Sequence, residues 1–170
     1  VKALISNAFY NKNIFENKVK NEVIYTKQLE KQILEDLKKQ DIYVEQVAHF
    51  RPLISTEKTY EENSTQPTFL GFYPSSKIYS LNKDITTKMS KNIVVGSTGG
   101  FTVTFFKTTK DKNKYIVSLA NCSSKDVFSR SEGRFQSLLN YIQNKKNSVY
   151  QMTVNEGEDV FEKFTTTLKN

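Results

Sequence analysis

Two runs rich in β-branched and aromatic residues, separated by six polar residues, constrain the fold of this chain more than any other feature. The runs are FTVTFFK (101–107) and KYIVSLAN (114–121), and TTKDKN joins them. Alternation along the first run predicts that Phe101, Val103 and Phe105 face one side of a sheet and the threonines between them the other. An antiparallel hairpin is therefore expected at this point of the chain.

An amphipathic helix is predicted to follow the hairpin, from about Ser129 to Lys145. Its apolar residues recur at helical spacing and form one stripe, made of Phe135, Leu138, Leu139 and Ile142. Ser129 and Glu132 have the spacing of a capping box, in which the serine oxygen accepts from a backbone N–H of the first turn. The helix is therefore expected to begin at Ser129.

The rest of the chain adds shorter elements of both kinds. Helices are predicted at 27–40 and 157–168, the second capped by Asn155 with Glu158 three residues later. Strands are predicted at 41–50, 68–73, 77–81, 92–96 and 149–154, and the polar, acidic segment 55–67 is expected to be an exposed loop. The expected fold is α+β, a single domain over residues 1–170 with a mainly antiparallel sheet of five to seven strands and two or three packed helices.

Composition excludes several classes of protein and site. No apolar run reaches the 18 residues of a membrane span, and the first residues lack the pattern of a signal peptide. The single cysteine, Cys122, cannot form an internal disulfide. One histidine and one cysteine are too few for the usual ligand set of a zinc site. We therefore predict no membrane span, no metal and no cofactor.

The positive charge is concentrated in the middle of the chain. Residues 1–76 carry ten Lys and Arg against ten Asp and Glu, residues 77–146 carry thirteen against four, and residues 147–170 carry two against four. The whole net charge of +7 therefore comes from the middle segment. Such an asymmetry favours a surface that binds a polyanion, nucleic acid above all, although scattered lysines are also typical of a solvated surface.

Two of the three arginines lie four residues apart at the predicted start of the helix. Arg130 and Arg134 would share a polar face with Ser137 and Tyr141, away from the apolar stripe. A helix N-terminus with two guanidinium groups suits a phosphate. The loop expected before the helix would contribute Ser123, Ser124 and Lys125. The alternative is that the arginines pair with nearby carboxylates and only stabilise the strand-helix corner.

The hairpin supplies a second candidate for nucleic-acid binding. Its loop and shoulders carry four lysines, Lys107, Lys110, Lys112 and Lys114. Tyr79 and Phe106 lie near basic residues and are predicted to stack on unpaired bases, as aromatic side chains on a sheet do in proteins that bind single strands. The alternative is that these rings fill a second hydrophobic layer beneath the helices.

The segment CSSKDVFSRSEGR, preceded by the strand GSTGGFTVTF, resembles segments of small, mostly uncharacterised bacteriophage and mobile-element proteins. The resemblance covers roughly residues 92–142. It implies a bacteriophage-type origin and a bacterial cytoplasm, and it supplies no activity.

Three other features are predicted to be structural. GSTGG (96–100) lacks the Gly-Lys-Ser/Thr of a phosphate-binding loop and precedes a strand, so a glycine turn or bulge is expected. His49 has no acid or nucleophile beside it in sequence, and Cys122 is expected to be a buried small residue. An enzyme that acts on nucleotides through Cys122 and His49 is the weakest of the functional hypotheses.

The prediction that follows is a non-enzymatic protein that binds single-stranded DNA or RNA through the basic hairpin and the arginine-bearing helix start. No helix-turn-helix or zinc-finger pattern points to sequence-specific binding of a duplex. The alternative is a small phage-type protein that binds and inhibits a host protein.

Overall fold

A computed structural model describes residues 24–55, 68–76 and 93–169 of the chain. The described helices are α1 (Lys27–Lys39), α2 (Arg130–Ile142) and α3 (Val160–Lys169). The described strands are β1 (Tyr43–Ser55), β2 (Thr68–Pro74), β3 (Ile93–Val95), β4 (Thr98–Lys107), β5 (Lys114–Val127) and β6 (Val149–Thr153). The predicted strand 77–81 and residues 56–67 of the predicted loop lie outside the described residues.

The described strands form one antiparallel sheet in the order β2-β1-β4-β5-β6, and β3 pairs with β1. Six strands and three helices within these ranges confirm the predicted α+β class. The hairpin β4-β5 was predicted, and β6 continues it as the next neighbour. β2 and β3 both pair with β1.

Two strands run further than the sequence predicts. β1 continues through Arg51 and Pro52 to Ser55, and β5 continues through the segment CSSKDV to Val127. Pro52 has no N–H to donate, but its carbonyl accepts from the backbone N–H of Gly96 at 2.9 Å. Ser123, Ser124 and Lys125 therefore lie on a strand and not on the loop that was expected.

The chain divides into two compact units. The first contains the described residues 24–47, 103–120 and 134–169, and the second contains 48–55, 68–76, 93–102 and 121–133. β1, β4, β5 and α2 each contribute residues to both units.

In the first unit, α1 and α2 share a hydrophobic core with one face of the sheet. Phe106 of β4 stacks on Tyr141 of α2 with ring centroids 4.4 Å apart. The ring of Tyr25 contacts Phe135 edge-on at 5.3 Å. Ile42 and buried residues of the two helices complete the core. The helix residues are Ile33 and Leu37 of α1 and Leu138, Leu139 and Ile142 of α2. The apolar stripe predicted for α2 is therefore confirmed, and α1 buries Ile33 and Leu37.

α3 covers the opposite face of this part of the sheet. Phe164 of α3 contacts Phe105 of β4 edge-on, with centroids 5.5 Å apart, and both side chains are buried. α3 begins at Val160, where Asp159 accepts a hydrogen bond from the N–H of Glu162 at 3.2 Å. The prediction that Asn155 caps this helix is wrong, because its amide instead donates to the carboxylate of Glu158 at 2.8 Å.

Buried polar side chains join α2 to the sheet in the first unit. The hydroxyls of Ser137 and Thr104 are 2.5 Å apart, and Ser118 donates to the carbonyl of Ser137 at 2.6 Å. The amide of Asn140 donates to the carbonyl of Leu119 at 2.8 Å. The side chains of Ser137 and Tyr141 are therefore buried, which corrects the prediction that they share a polar face with Arg130, a residue that is exposed.

In the second unit, a row of aromatic rings leads from the interior to the surface. Phe50 stacks on Phe101 at 4.7 Å, Phe101 contacts Phe72 edge-on at 5.3 Å, and Phe72 contacts Phe69 at 5.0 Å. Gly100 adopts a φ of 108°, and a Cβ at this position would lie 2.5 Å from the carbonyl oxygen of Phe50. The glycines of GSTGG therefore serve the close packing of β4, as expected of a structural glycine segment.

Candidate nucleic-acid interface

The hairpin loop between β4 and β5 carries exposed lysines. Lys110, Lys112 and Lys114 are exposed, and no carboxylate of a described residue lies within 4.0 Å of their Nζ atoms. Within the eight residues from Lys107 to Lys114, the only acidic residue is Asp111. Exposed ammonium groups that no described carboxylate pairs are available to an anion from solvent.

Hydrogen bonds hold this loop from both sides. The carboxylate of Asp41, at the turn between α1 and β1, accepts from the N–H of Thr109 at 3.2 Å and from its hydroxyl at 2.6 Å. On the other side, the N–H of Val154 donates to the carbonyl of Asn113 at 2.7 Å. The loop is thus held by hydrogen bonds on both sides, and the backbone that carries its lysines is ordered in the free protein.

Lys107 differs from the other hairpin lysines because it has a partner. Its Nζ forms an ion pair with Glu45 of β1, and both side chains are partly exposed. The hydrogen bond to Glu45 raises the pKa of Lys107, and burial opposes that effect. Glu45 of β1 therefore positions Lys107 and partly neutralises its charge, so Lys107 attracts an external anion less strongly.

A cavity of about 80 Å³ lies beside the hairpin, within the first unit. Its apolar wall is formed by Ile42, Phe106 and Ile116, and its polar wall by Lys107, Thr108, Asp111, Lys114 and Gln151. Gln151 and Ile116 are direct partners across the β5-β6 pairing. The sequence reasoning missed Ile116 and Gln151, because pairing between strands more than 30 residues apart leaves no local pattern. Thr108 was also missed, because a threonine in a loop has no pattern that marks it as part of a cavity.

The second unit carries the other predicted basic segment. Ser123, Ser124 and Lys125 are exposed on β5, and Arg130 is exposed as the first residue of α2. The hydroxyl of Ser129 accepts from the N–H of Glu132 at 3.3 Å, which confirms the predicted start of the helix. The side chain of Arg130 has no hydrogen bond or ion pair with another described residue.

Arg134 does not share the exposure of Arg130. Its Nε and one terminal nitrogen donate to the two carboxylate oxygens of Glu30 at 2.7 and 3.2 Å, and the same terminal nitrogen donates to the hydroxyl of Tyr25 at 3.4 Å. The hydrogen bond to Glu30 raises the pKa of Arg134. The prediction of Arg134 as a ligand contact is therefore corrected. Its guanidinium group binds the carboxylate of Glu30, about 100 residues earlier in the chain, and so joins α2 to α1.

Phe106 is also corrected as a contact for bases. Its side chain is only 1% exposed, because α2 covers the face of β4 on which it lies. It fills the second hydrophobic layer that the sequence left open as the alternative. Tyr79 lies outside the described residues.

His49 and Cys122, the two residues considered for an enzyme, contact neighbouring groups of the second unit. Nδ1 of His49 is 2.9 Å from the hydroxyl of Thr102, and its ring contacts Phe128 edge-on. Cys122 is half-buried rather than fully buried, and its Sγ lies 3.4 Å from the carbonyl oxygen of Asp126. Arg51 donates to the carbonyl of Gly96 at 2.8 Å and lies over the ring of Phe128.

Comparisons with known protein families, curated proteins and solved structures find no match for this chain. None of the three described helices has the length and apolar content needed to cross a bilayer. Among the residues that the structure describes, no group of three His, Cys, Asp or Glu side chains is arranged to share a metal ion.

Proposed function

We propose that this protein binds nucleic acid, single-stranded DNA or RNA in preference to duplex, through the basic hairpin between β4 and β5. The observation that carries the proposal is the set of three exposed lysines without ion-pair partners among the described residues, Lys110, Lys112 and Lys114. The binding is non-enzymatic. The bacteriophage-type origin and the bacterial cytoplasm remain predictions from the sequence resemblance.

The anchoring of the loop supports this function. Ordering a flexible loop on binding costs conformational entropy, and the hydrogen bonds from Asp41 and Val154 already provide that order in the free protein. The lysine side chains remain mobile enough to follow a phosphate backbone, which recognises charge rather than sequence.

Arg130 and Lys125 form a second candidate contact in the other unit, together with Ser123 and Ser124. Both basic side chains are exposed, and Arg130 carries the guanidinium fork that binds phosphate through two hydrogen bonds. Arg130→Lys is therefore expected to weaken oligonucleotide binding although the charge is kept. Affinity equal to that of the unsubstituted protein would remove Arg130 from the interface.

The test of the hairpin is the double substitution Lys110→Ala with Lys112→Ala. Loss of two phosphate contacts lowers the slope of log Kd against log salt by about 1.4, since each neutralised phosphate of a single strand contributes about 0.7. The measurement is fluorescence anisotropy of an end-labelled single-stranded oligonucleotide over a salt series. Thermal stability is expected to stay unchanged, because the substituted side chains are exposed and unpaired.

A matched control is available in the same unit. Lys145 and Lys146 are also exposed and adjacent to a turn, and their replacement by Ala removes the same net charge. If both double variants lose affinity equally, binding follows net charge alone and the hairpin has no special role. If the unsubstituted protein has no measurable affinity for oligonucleotides at low salt, the proposed function is wrong.

A second candidate function, binding of a host protein, is favoured by the apolar surface of the second unit. Phe69, Leu70 and Phe72 of β2 and Val94 of β3 are exposed, and Phe69 is 56% exposed. Exposed apolar residues of this size, on two strands that both pair with β1, are typical of protein-binding surfaces. The test is capture from nuclease-treated bacterial lysate with the unsubstituted protein and with Phe69→Ser. A partner retained equally by both would exclude this surface.

A further inference from the structure

We propose that the cavity beside the hairpin receives one unpaired base of the bound strand, so that the lysines hold the backbone while the cavity holds a ring. This inference rests on the proposed function and names the part of the ligand that the cavity recognises. It assigns a role to Ile116, Thr108, Asp111 and Gln151, which line the cavity together with Lys107 and Lys114.

The lining of the cavity has the two kinds of surface that a base requires. Ile116 is partly exposed and offers an apolar contact to a ring, while the almost fully buried side chains of Ile42 and Phe106 close the cavity behind it. The carboxylate of Asp111 accepts from an exocyclic amino group, and the side chain of Gln151 both donates and accepts. A phosphate alone would contact only the lysines and would leave the apolar side of the cavity unfilled.

The size of the cavity suits a single ring system. Pockets that hold drug-sized molecules measure about 300–1,000 Å³. A cavity of about 80 Å³ has room for one ring inserted from the side, while the rest of the strand stays outside. Because a base in a duplex is stacked and paired, only an unpaired base can enter, which gives a structural reason for the preference for single strands.

Lys107 and Lys114 connect the cavity to the cationic loop. Both line the cavity, and Lys110 and Lys112 lie between them in sequence on the exposed turn. Glu45 holds the ammonium group of Lys107 in place, so this side of the cavity is formed before a ligand arrives. A strand whose phosphates follow the four lysines therefore brings its bases next to the opening.

The experiment compares two single-stranded probes with equal numbers of phosphates. One is an oligonucleotide of cytidines, and the other is an abasic sugar-phosphate strand of the same length. Base stacking in such sites corresponds to about 5- to 150-fold in affinity per base, and this range is the expected ratio of Kd for the abasic strand to Kd for the cytidine strand. Fluorescence anisotropy with end-labelled strands measures both values.

A matched pair of substitutions assigns the effect to the cavity. Asp111→Ala removes the acceptor for the cytosine amino group and is expected to lower the ratio of the two Kd values by about 2- to 12-fold. Asp126→Ala removes the same charge from an exposed position on β5 that does not line the cavity, and should leave the ratio unchanged. Because the loss of a negative charge strengthens binding of both strands alike, it cancels in the ratio.

The possible results separate this inference from the function on which it rests. Equal affinity for the two strands overturns base recognition and leaves the electrostatic function of the hairpin standing. A high ratio that Asp111→Ala does not lower means that the base is held elsewhere, which also overturns the inference. Absence of binding to either strand at low salt overturns the proposed function, and the base-binding cavity with it.

Discussion

The ion pair between Arg134 and Glu30 makes a quantitative prediction about stability. Hydrogen bonds to charged groups contribute about 1.5–3 kcal/mol each, but solvent screening of a partly exposed pair reduces this sum. The side chain of Arg134 is 37% exposed and that of Glu30 is 12% exposed, so Arg134→Ala leaves a poorly solvated carboxylate behind. We expect a loss of about 2 kcal/mol in the free energy of unfolding.

The corresponding shift in melting temperature follows from the length of the chain. For a protein of 170 residues, 1 kcal/mol corresponds to about 2–4 °C, so Arg134→Ala should melt about 4–8 °C lower. Arg134→Lys keeps the charge but loses the fork, and we expect about half of that effect. Thermal and urea unfolding followed by circular dichroism measure both variants, and a double-mutant cycle with Glu30→Gln measures the coupling of the pair.

Arg130→Ala is the control for this prediction, because Arg130 is exposed and has no partner among the described residues. It should change the free energy of unfolding by less than about 0.5 kcal/mol. Equal destabilisation by Arg130→Ala and Arg134→Ala would refute the reasoning. A coupling below about 0.3 kcal/mol between Arg134 and Glu30 would do the same, since residues without interaction show additive effects.

Two further predictions concern the packing of α2. Gly133→Ala should destabilise the protein by about 1 kcal/mol or more, because the new Cβ would lie 2.1 Å from the hydroxyl oxygen of Thr102. Alanine favours helices more than glycine does, so without this contact the substitution would raise the melting temperature. A higher melting temperature for this variant would therefore contradict the contact. Burial raises the pKa of Tyr141 to about 12 from 10.0, so the unfolded state loses its phenolic proton first as the pH rises. The stabilisation is therefore complete below pH 10 and falls between pH 10 and 12 by on the order of 2 kcal/mol, and urea unfolding of Tyr141→Phe should lack this part of the decline.

Local patterns predicted the secondary structure well where one interaction dominates. The capping serine and the apolar stripe of α2 are properties of a single helix, and both were readable from spacing alone. The extension of β5 was not readable, because CSSKDV is polar and has weak strand propensity. It becomes a strand through its position in the sheet, where Phe128 N–H donates to the carbonyl of Ser97 at 3.1 Å immediately after it.

The candidate site was harder to predict than the fold, because exposure depends on what covers each face. Phe105 and Phe106 are consecutive, so alternation assigns them to opposite faces, and the sequence does not say that helices cover both faces. Arg130 and Arg134 look equivalent on a helical wheel. Only the position of Glu30 on α1 distinguishes them, and that position is set by packing between segments far apart in sequence.

Ser137 gives α2 a single alignment along the sheet. Leu138 and Ile142 are one helical turn apart and similar in volume, so apolar packing alone would tolerate a helix displaced by one turn, or about 5.4 Å. Such a displacement would separate Ser137 from Thr104 and Ser118 and deprive these two buried hydroxyls of the partners that they have on α2, at a cost of about 1–3 kcal/mol for each hydroxyl left unpaired. The polar contacts thus favour one register of α2 on the sheet. A helix in the wrong register can still pack against the sheet, but without these contacts its free energy is higher than that of the native state.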